Sequence, residues 1–276
     1  MSKFTLALIQ MKTGLDKAEN ISRALQMIRT AATEHKAKLI SLPECFNSPY
    51  GTQYFADYAE PIPGPTVEAL AQAAKEHKVY LIGGSIPEKK GTALYNTATV
   101  FGPDGSLMKT FRKLHLFDID IPGKITFRES DSLQPGSEFC VLDTGFCKVG
   151  VAICYDIRFA ELGLTYGKLG CDLIVYPGAF NMTTGPAHWR LLQQARALDN
   201  QLYIAAVSPA RDETAGYVAW GHSSIVSPWA DVLAEADHTE QIVTAEVDPA
   251  YVQQVRSQIP ITKQRRLDLY RMEFKA

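Results

Sequence analysis

Nothing in this 276-residue chain reads as a membrane span. Its most apolar stretches, such as residues 149–153, are a few residues long, where a span needs about 20. Blocks of one charge are missing as well. The formal net charge is −2, and Arg265-Arg266 is too short a basic cluster to grip nucleic acid. Metal-ligand spacing is absent: the six histidines are scattered without an H-E-x-x-H pattern, and the five cysteines include no C-x-x-C pair. No metal and no other cofactor is therefore expected. Gly83-Gly84 lacks the G-x-G-x-x-G or G-K-[ST] context of a nucleotide loop. From Met1 the chain passes directly into a strand-like segment, without the apolar stretch and cleavage site of a secretory signal. Five thiols in such a chain read as reduced, which points to a cytoplasmic location, with the mitochondrion as the alternative. No stretch rich in Pro, Gly or Ser divides the chain, so residues 1–276 are expected to form one domain.

What is present is an alternation of short apolar runs with amphipathic stretches. Residues 5–9, 38–42 and 79–86 are rich in Leu, Ile and Val and read as buried strands. Between them, residues 20–34 and 66–77 carry apolar side chains at helical spacing. Gly102-Pro103-Asp104-Gly105 is a turn signal that predicts a hairpin between residues 96–101 and 106–111. The second half repeats the pattern loosely: strands within 139–153, a helix over 159–169, a strand over 172–176, a helix over 186–199, then strands at 202–207 and 223–226. Lys38-Leu39-Ile40-Ser41-Leu42-Pro43 resembles Asp172-Leu173-Ile174-Val175-Tyr176-Pro177, which suggests internal pseudo-symmetry. Strands that are apolar on both faces need cover on both sides. The expected fold is therefore α/β, a four-layer α-β-β-α sandwich.

Three chemically distinct residues close predicted strands. Glu44 follows Leu42-Pro43, Lys113 follows the hairpin, and Cys154 ends the run Val151-Ala152-Ile153. Ligands of open α/β sheets bind beyond the carboxyl ends of strands, so these three can meet. A thiol at a strand-to-helix turn is expected to feel the positive helix end, favouring the thiolate. A carboxylate after an apolar strand is costly unless it is paired or used.

Leu42-Pro43-Glu44, Arg112-Lys113-Leu114-His115 and Cys154-Tyr155-Asp156-Ile157-Arg158-Phe159 resemble the three signature segments of the nitrilase superfamily of carbon–nitrogen hydrolases. The resemblance runs almost end to end and is closest to the omega-amidase branch. It extends through Glu44-Cys45-Phe46-Asn47-Ser48-Pro49-Tyr50-Gly51 and Tyr176-Pro177-Gly178-Ala179-Phe180-Asn181. It implies that Cys154 is the nucleophile and forms a thioester, that Glu44 is the general base, and that Lys113 and the Tyr155 backbone N–H stabilise the oxyanion. Glu129 matches the second glutamate of the family and is expected to orient Lys113 and the substrate amide.

Cys-Tyr-Asp resembles the amidase branches, whereas true nitrilases usually carry Cys-Trp-Glu. In the omega-amidase group the residue matching Arg158 is associated with a substrate carboxylate, which a guanidinium can hold with two hydrogen bonds. The alternative for Arg158 is a structural salt bridge to Asp156 or Glu161. Phe180, Tyr50 and Thr183 are candidate pocket residues. The resemblance implies the ω-amides of short α-keto dicarboxylic acids, α-ketoglutaramate and α-ketosuccinamate, as substrates, and a homodimer as the assembly. Deaminated glutathione is the competing substrate. Other classes fare worse. A cysteine phosphatase needs Cys-x5-Arg, but Ala160 stands six residues after Cys154. A Cys-His hydrolase would recruit His115, His188 or His222. A non-catalytic interaction protein would not need Glu44, Lys113 and Cys154 together.

Overall fold

The computed structural model describes residues 2–270 and Glu273. One six-stranded sheet has the order β14-β1-β2-β3-β4-β5. It comprises β1 (Phe4–Gln10), β2 (Leu39–Ser41), β3 (Tyr80–Lys90), β4 (Ala93–Phe101), β5 (Leu107–Arg112) and β14 (Gln241–Val247). The second has the order β13-β12-β11-β10-β9-β8. Its strands are β8 (Cys140–Asp143), β9 (Lys148–Val151), β10 (Leu173–Pro177), β11 (Tyr203–Val207), β12 (Ser224–Val226) and β13 (Val232–Glu235). A separate hairpin pairs β6 (Asp118–Ile121) with β7 (Ile125–Arg128).

Successive side chains of a strand point to opposite faces, and β1 shows both faces in use. Leu6 and Leu8 join a core with Val149, Val151, Val175 and Ala205 of the second sheet. Ala7 and Ile9 instead join Ala24 and Ile28 of α1 (Lys17–Thr33) and Leu70 and Ala74 of α3 (Pro65–His77). On the outer side of the second sheet lie α4 (Ala160–Lys168) and α5 (Gly185–Asn200), which contribute Leu162, Tyr166, Trp189 and Ala197. The result is the α-β-β-α sandwich expected from the strand composition.

The pseudo-symmetry is also present in the topology. β1-β2-β3 and β9-β10-β11 are parallel triplets, each extended by antiparallel strands. The repeated sequences occupy β2 and β10, and the predicted hairpin joins β4 to β5. The sequence pattern did not predict α2 (Thr52–Tyr58), the β6–β7 hairpin, the strands β13 and β14, or the closing α6 (Pro249–Gln258) with α7 (Ile261–Gln264). After Cys154 the chain forms a 3₁₀ turn through Arg158 before α4 begins, rather than one continuous helix.

Candidate active site

Glu44 stands three residues beyond β2 on a loop pinned to β3. Ser85 N–H donates to the Pro43 carbonyl (3.2 Å), Cys45 N–H to Ser85 Oγ (3.0 Å), and Phe46 N–H to the Ser85 carbonyl (3.2 Å). This contact exploits a bulge in β3 between Ile82 and Ser85. Gly84 has φ +59°, and a Cβ there would lie 2.1 Å from the Pro43 oxygen. Only glycine permits that approach.

Lys113 continues β5 by one residue, its N–H donating to the Asn96 carbonyl at 2.9 Å. The preceding Arg112 is clamped to Glu88 of β3 (Nε–Oε2 2.8 Å), with Thr97 Oγ1 donating to the same carboxylate at 2.6 Å. The strand is therefore held in register where Lys113 turns inward. Lys113, Glu129 and Glu44 are all buried, at 0%, 0% and 1% exposure. Lys113 Nζ lies 2.9 Å from Glu44 Oε1 and 2.8 Å from Glu129 Oε2. Glu129 also accepts from Tyr50 Oη at 2.6 Å and from the Phe117 N–H at 2.7 Å. Burial alone would push the Lys113 ammonium down, but Glu129 and Glu44 outweigh it and hold its pKa well above the ordinary value. The ammonium thus stays charged inside the protein.

Cys154 is buried and has φ +46°, an uncommon conformation for a residue with a side chain. The turn sets the thiol toward the loop after β10, where Ala179 N–H donates to Sγ at 3.3 Å. Gly178 allows the approach, since a Cβ there would sit 3.3 Å from Cys154 Cα and 3.3 Å from the Trp189 ring. Burial first, and then the Glu44 charge, push the Cys154 thiol well above its ordinary pKa. This corrects the expectation of a helix-stabilised thiolate. The short turn offers too little positive potential to offset desolvation beside Glu44, so the thiol holds its proton. Burial raises the Glu44 carboxyl above its ordinary pKa, while Lys113 opposes the rise without cancelling it, and the carboxyl and the thiol influence one another's protonation directly. Glu44 Oε2 has no hydrogen-bond partner among the described residues.

Asp156, fully buried, ties the two motif segments together. Its Oδ1 accepts from His115 N–H (2.9 Å) and lies 2.7 Å from His115 Nδ1, and its Oδ2 accepts from Ile153 N–H (2.9 Å). His115 stacks on Phe159 at 3.6 Å. His188 instead contacts Arg158, and His222 lies near Glu235. No histidine hydrogen-bonds to Cys154 among the described residues, which leaves the Cys-His alternative without a base.

Arg158 has no ion pair among the described residues, so the expected alternatives Asp156 and Glu161 do not hold it. Its guanidinium is half-buried, 4.8 Å above the Phe180 ring and 5.7 Å from the Tyr155 ring. A cavity of about 370 Å³ opens beside Glu44, with Cys45, Ser48, Tyr50, Ala179 and Tyr217 in its wall. Of the residues singled out in the sequence, Glu44 and Tyr50 line it, whereas Lys113, Glu129, Cys154, Tyr155, Arg158, Phe180 and Thr183 do not. Thr183 N–H donates to Asn181 Oδ1 at 2.9 Å in the turn before α5. Sequence reasoning missed three neighbours of the cluster. They are Asn96, whose Nδ2 donates to Glu44 Oε1 at 2.8 Å, the Ala179 N–H on the thiol, and Tyr217, whose hydroxyl donates to the Ala179 carbonyl.

Comparisons with known proteins place the chain among relatives. The carbon-nitrogen hydrolase family profile matches residues 5–257. The chain is 61% identical to "Omega-amidase NIT2" of Xenopus tropicalis, covering 100% of this chain and 99% of that protein. It is 58% identical, with the same coverage, to the Homo sapiens protein of the same name. Among solved structures it resembles Saccharomyces cerevisiae Nit3, described as a member of branch 10 of the nitrilase superfamily. The identity is 42% and the TM-score 0.88, covering 96% of this chain and 97% of that one. On profile, sequence and fold together, this chain belongs to the carbon–nitrogen hydrolase family.

Proposed function

We propose that this chain is an omega-amidase, hydrolysing the ω-amide of α-ketoglutaramate and α-ketosuccinamate through a thioester on Cys154. The observation that carries this reading is the buried Glu44–Lys113–Glu129 cluster in electrostatic contact with the protonated Cys154 thiol. Glu44 Oε2 takes the thiol proton as Sγ attacks the amide carbon. Lys113 Nζ and the Tyr155 N–H receive the developing oxyanion, and Glu129 keeps Lys113 in place. Glu44 then gives its proton to the departing nitrogen, and ammonia leaves. A water molecule surrenders a proton to Glu44 as it attacks the thioester, and collapse releases the acid and restores the thiol. Amides are poor electrophiles with a poor leaving group, and each of these groups answers one of those difficulties.

Arg158, half-buried over Phe180 and without an ion pair among the described residues, supports recognition of a substrate carboxylate, with Tyr50 and Thr183 as further candidates for contact. The names of the relatives support an ω-amide over a nitrile. The same reading takes residues 1–276 as one catalytic domain, working in the cytoplasm as a homodimer. Supporting this are five unpaired cysteines and the exposed Leu191 and Leu198 on α5, with Leu267 and Leu269 near the carboxyl terminus. No helix among the described residues is long and apolar enough to cross a membrane. The test compares kcat/KM for ammonia release across α-ketoglutaramate, deaminated glutathione, simple amides and nitriles. A preference of at least tenfold for α-ketoglutaramate is expected. An equal or greater value for deaminated glutathione would replace the substrate, and nitrile turnover alone would replace the reaction.

A further inference from the structure

We infer that Asn96 is a positioning residue that selects Glu44 Oε2 as the atom that carries the catalytic proton. The two oxygens of Glu44 are treated unequally. Oε1 accepts from two donors, Asn96 Nδ2 at 2.8 Å and Lys113 Nζ at 2.9 Å. Oε2 is buried and accepts from none among the described residues. A carboxylate in a dry site with one oxygen saturated and the other idle has its remaining basicity concentrated on the idle atom. Without Asn96, Lys113 alone would fix one oxygen and the carboxylate plane could rotate about that contact. Two donors on Oε1 fix the plane, and so fix where Oε2 points.

Asn96 is suited to this by its place in β4. Its backbone carbonyl accepts the Lys113 N–H at 2.9 Å while its side chain reaches Glu44, so one residue spaces the base against the cation. It is 1% exposed, and its Oδ1 has no hydrogen-bond partner among the described residues, so the side chain is held chiefly by its bond to Glu44. A substitution there removes the side-chain donor and leaves the backbone bond to Lys113 in place. The charged and titratable groups around Glu44 are Lys113, Glu129, Cys154 and Cys45, with Tyr50 and Tyr217 also sensing its charge.

The inference rests on Glu44 acting as the base, and the sign of its consequence follows. A hydrogen bond donated to a carboxylate favours the charged form and lowers its pKa. Removing it raises the pKa, so the base is free only at higher pH and the acid limb of the pH–rate profile moves up. The experiment measures kcat/KM for ammonia release from α-ketoglutaramate against pH for wild type, Glu44→Gln, Asn96→Ala and Asn96→Ser. Serine keeps the strand polar but is too short to reach Oε1, and so serves if alanine does not fold. The expected result is an acid limb displaced upward by about one pH unit, with kcat down about 10- to 100-fold and KM within about threefold. An unmoved limb in a folded Asn96 variant, beside an inactive Glu44→Gln, overturns the role of Asn96 alone. An active Glu44→Gln overturns the underlying assignment of the base.

Discussion

At the residue scale, the site is a set of buried charges that differ in whether the protein satisfies them. Lys113 is matched by two carboxylates and is committed to staying charged. Arg158 is different: burial lowers its pKa, and no acidic side chain among the described residues pairs with it. A half-dry guanidinium without an anion is poised for one from outside. Arg158→Met should therefore raise KM for α-ketoglutaramate about 10- to 100-fold, the worth of a charge-assisted pair of hydrogen bonds, with a smaller effect on kcat. Steady-state kinetics on the purified variant checks this, and an unchanged KM would remove Arg158 from the substrate site.

At the scale of elements, the proposed catalysis depends on three strand ends meeting. β5 runs in the same direction as β2, two antiparallel steps away through β4 and β3, so their carboxyl ends share an edge. Asp156 then bridges the segment after β5 to the turn after β9. Asp156→Ala would leave the buried Ile153 N–H and the part-buried His115 N–H without an acceptor. The expected loss is about 3 kcal/mol of stability in denaturant unfolding, with kcat down at least tenfold as Lys113 and Cys154 lose their common anchor. Retention of both values would show that the bridge is dispensable. The strand-end residues were legible in the sequence because a Glu, a Lys or a Cys closing an apolar run stands out. Asn96 and the Ala179 N–H were not, because their roles arise from register across strands and from a backbone group that carries no letter. The β6–β7 hairpin does have a readable trace, Asp118-Ile119-Asp120-Ile121 alternating up to Pro122-Gly123.

For the whole molecule, the duplicated β-α-β-α-β pattern explains both the packing and the site. Each half supplies most of one sheet with its own pair of helices, β14 crossing over to pair with β1, and the inner faces close on one another. The halves contribute unequally: the first supplies Glu44 and Lys113, the second Cys154, and Glu129 comes from the connection between them. Repetition in the sequence made the sandwich legible, but the connection's course over the site was not, since it follows neither half's pattern. The central claim, that these parts assemble to acylate Cys154, is tested most directly by intact-protein mass spectrometry after acid quenching during turnover of α-ketoglutaramate. The account predicts a protein mass increased by one acyl group, located on the Cys154 peptide and absent in Cys154→Ala, which releases no ammonia. Ammonia release by Cys154→Ala at a rate near wild type would contradict it.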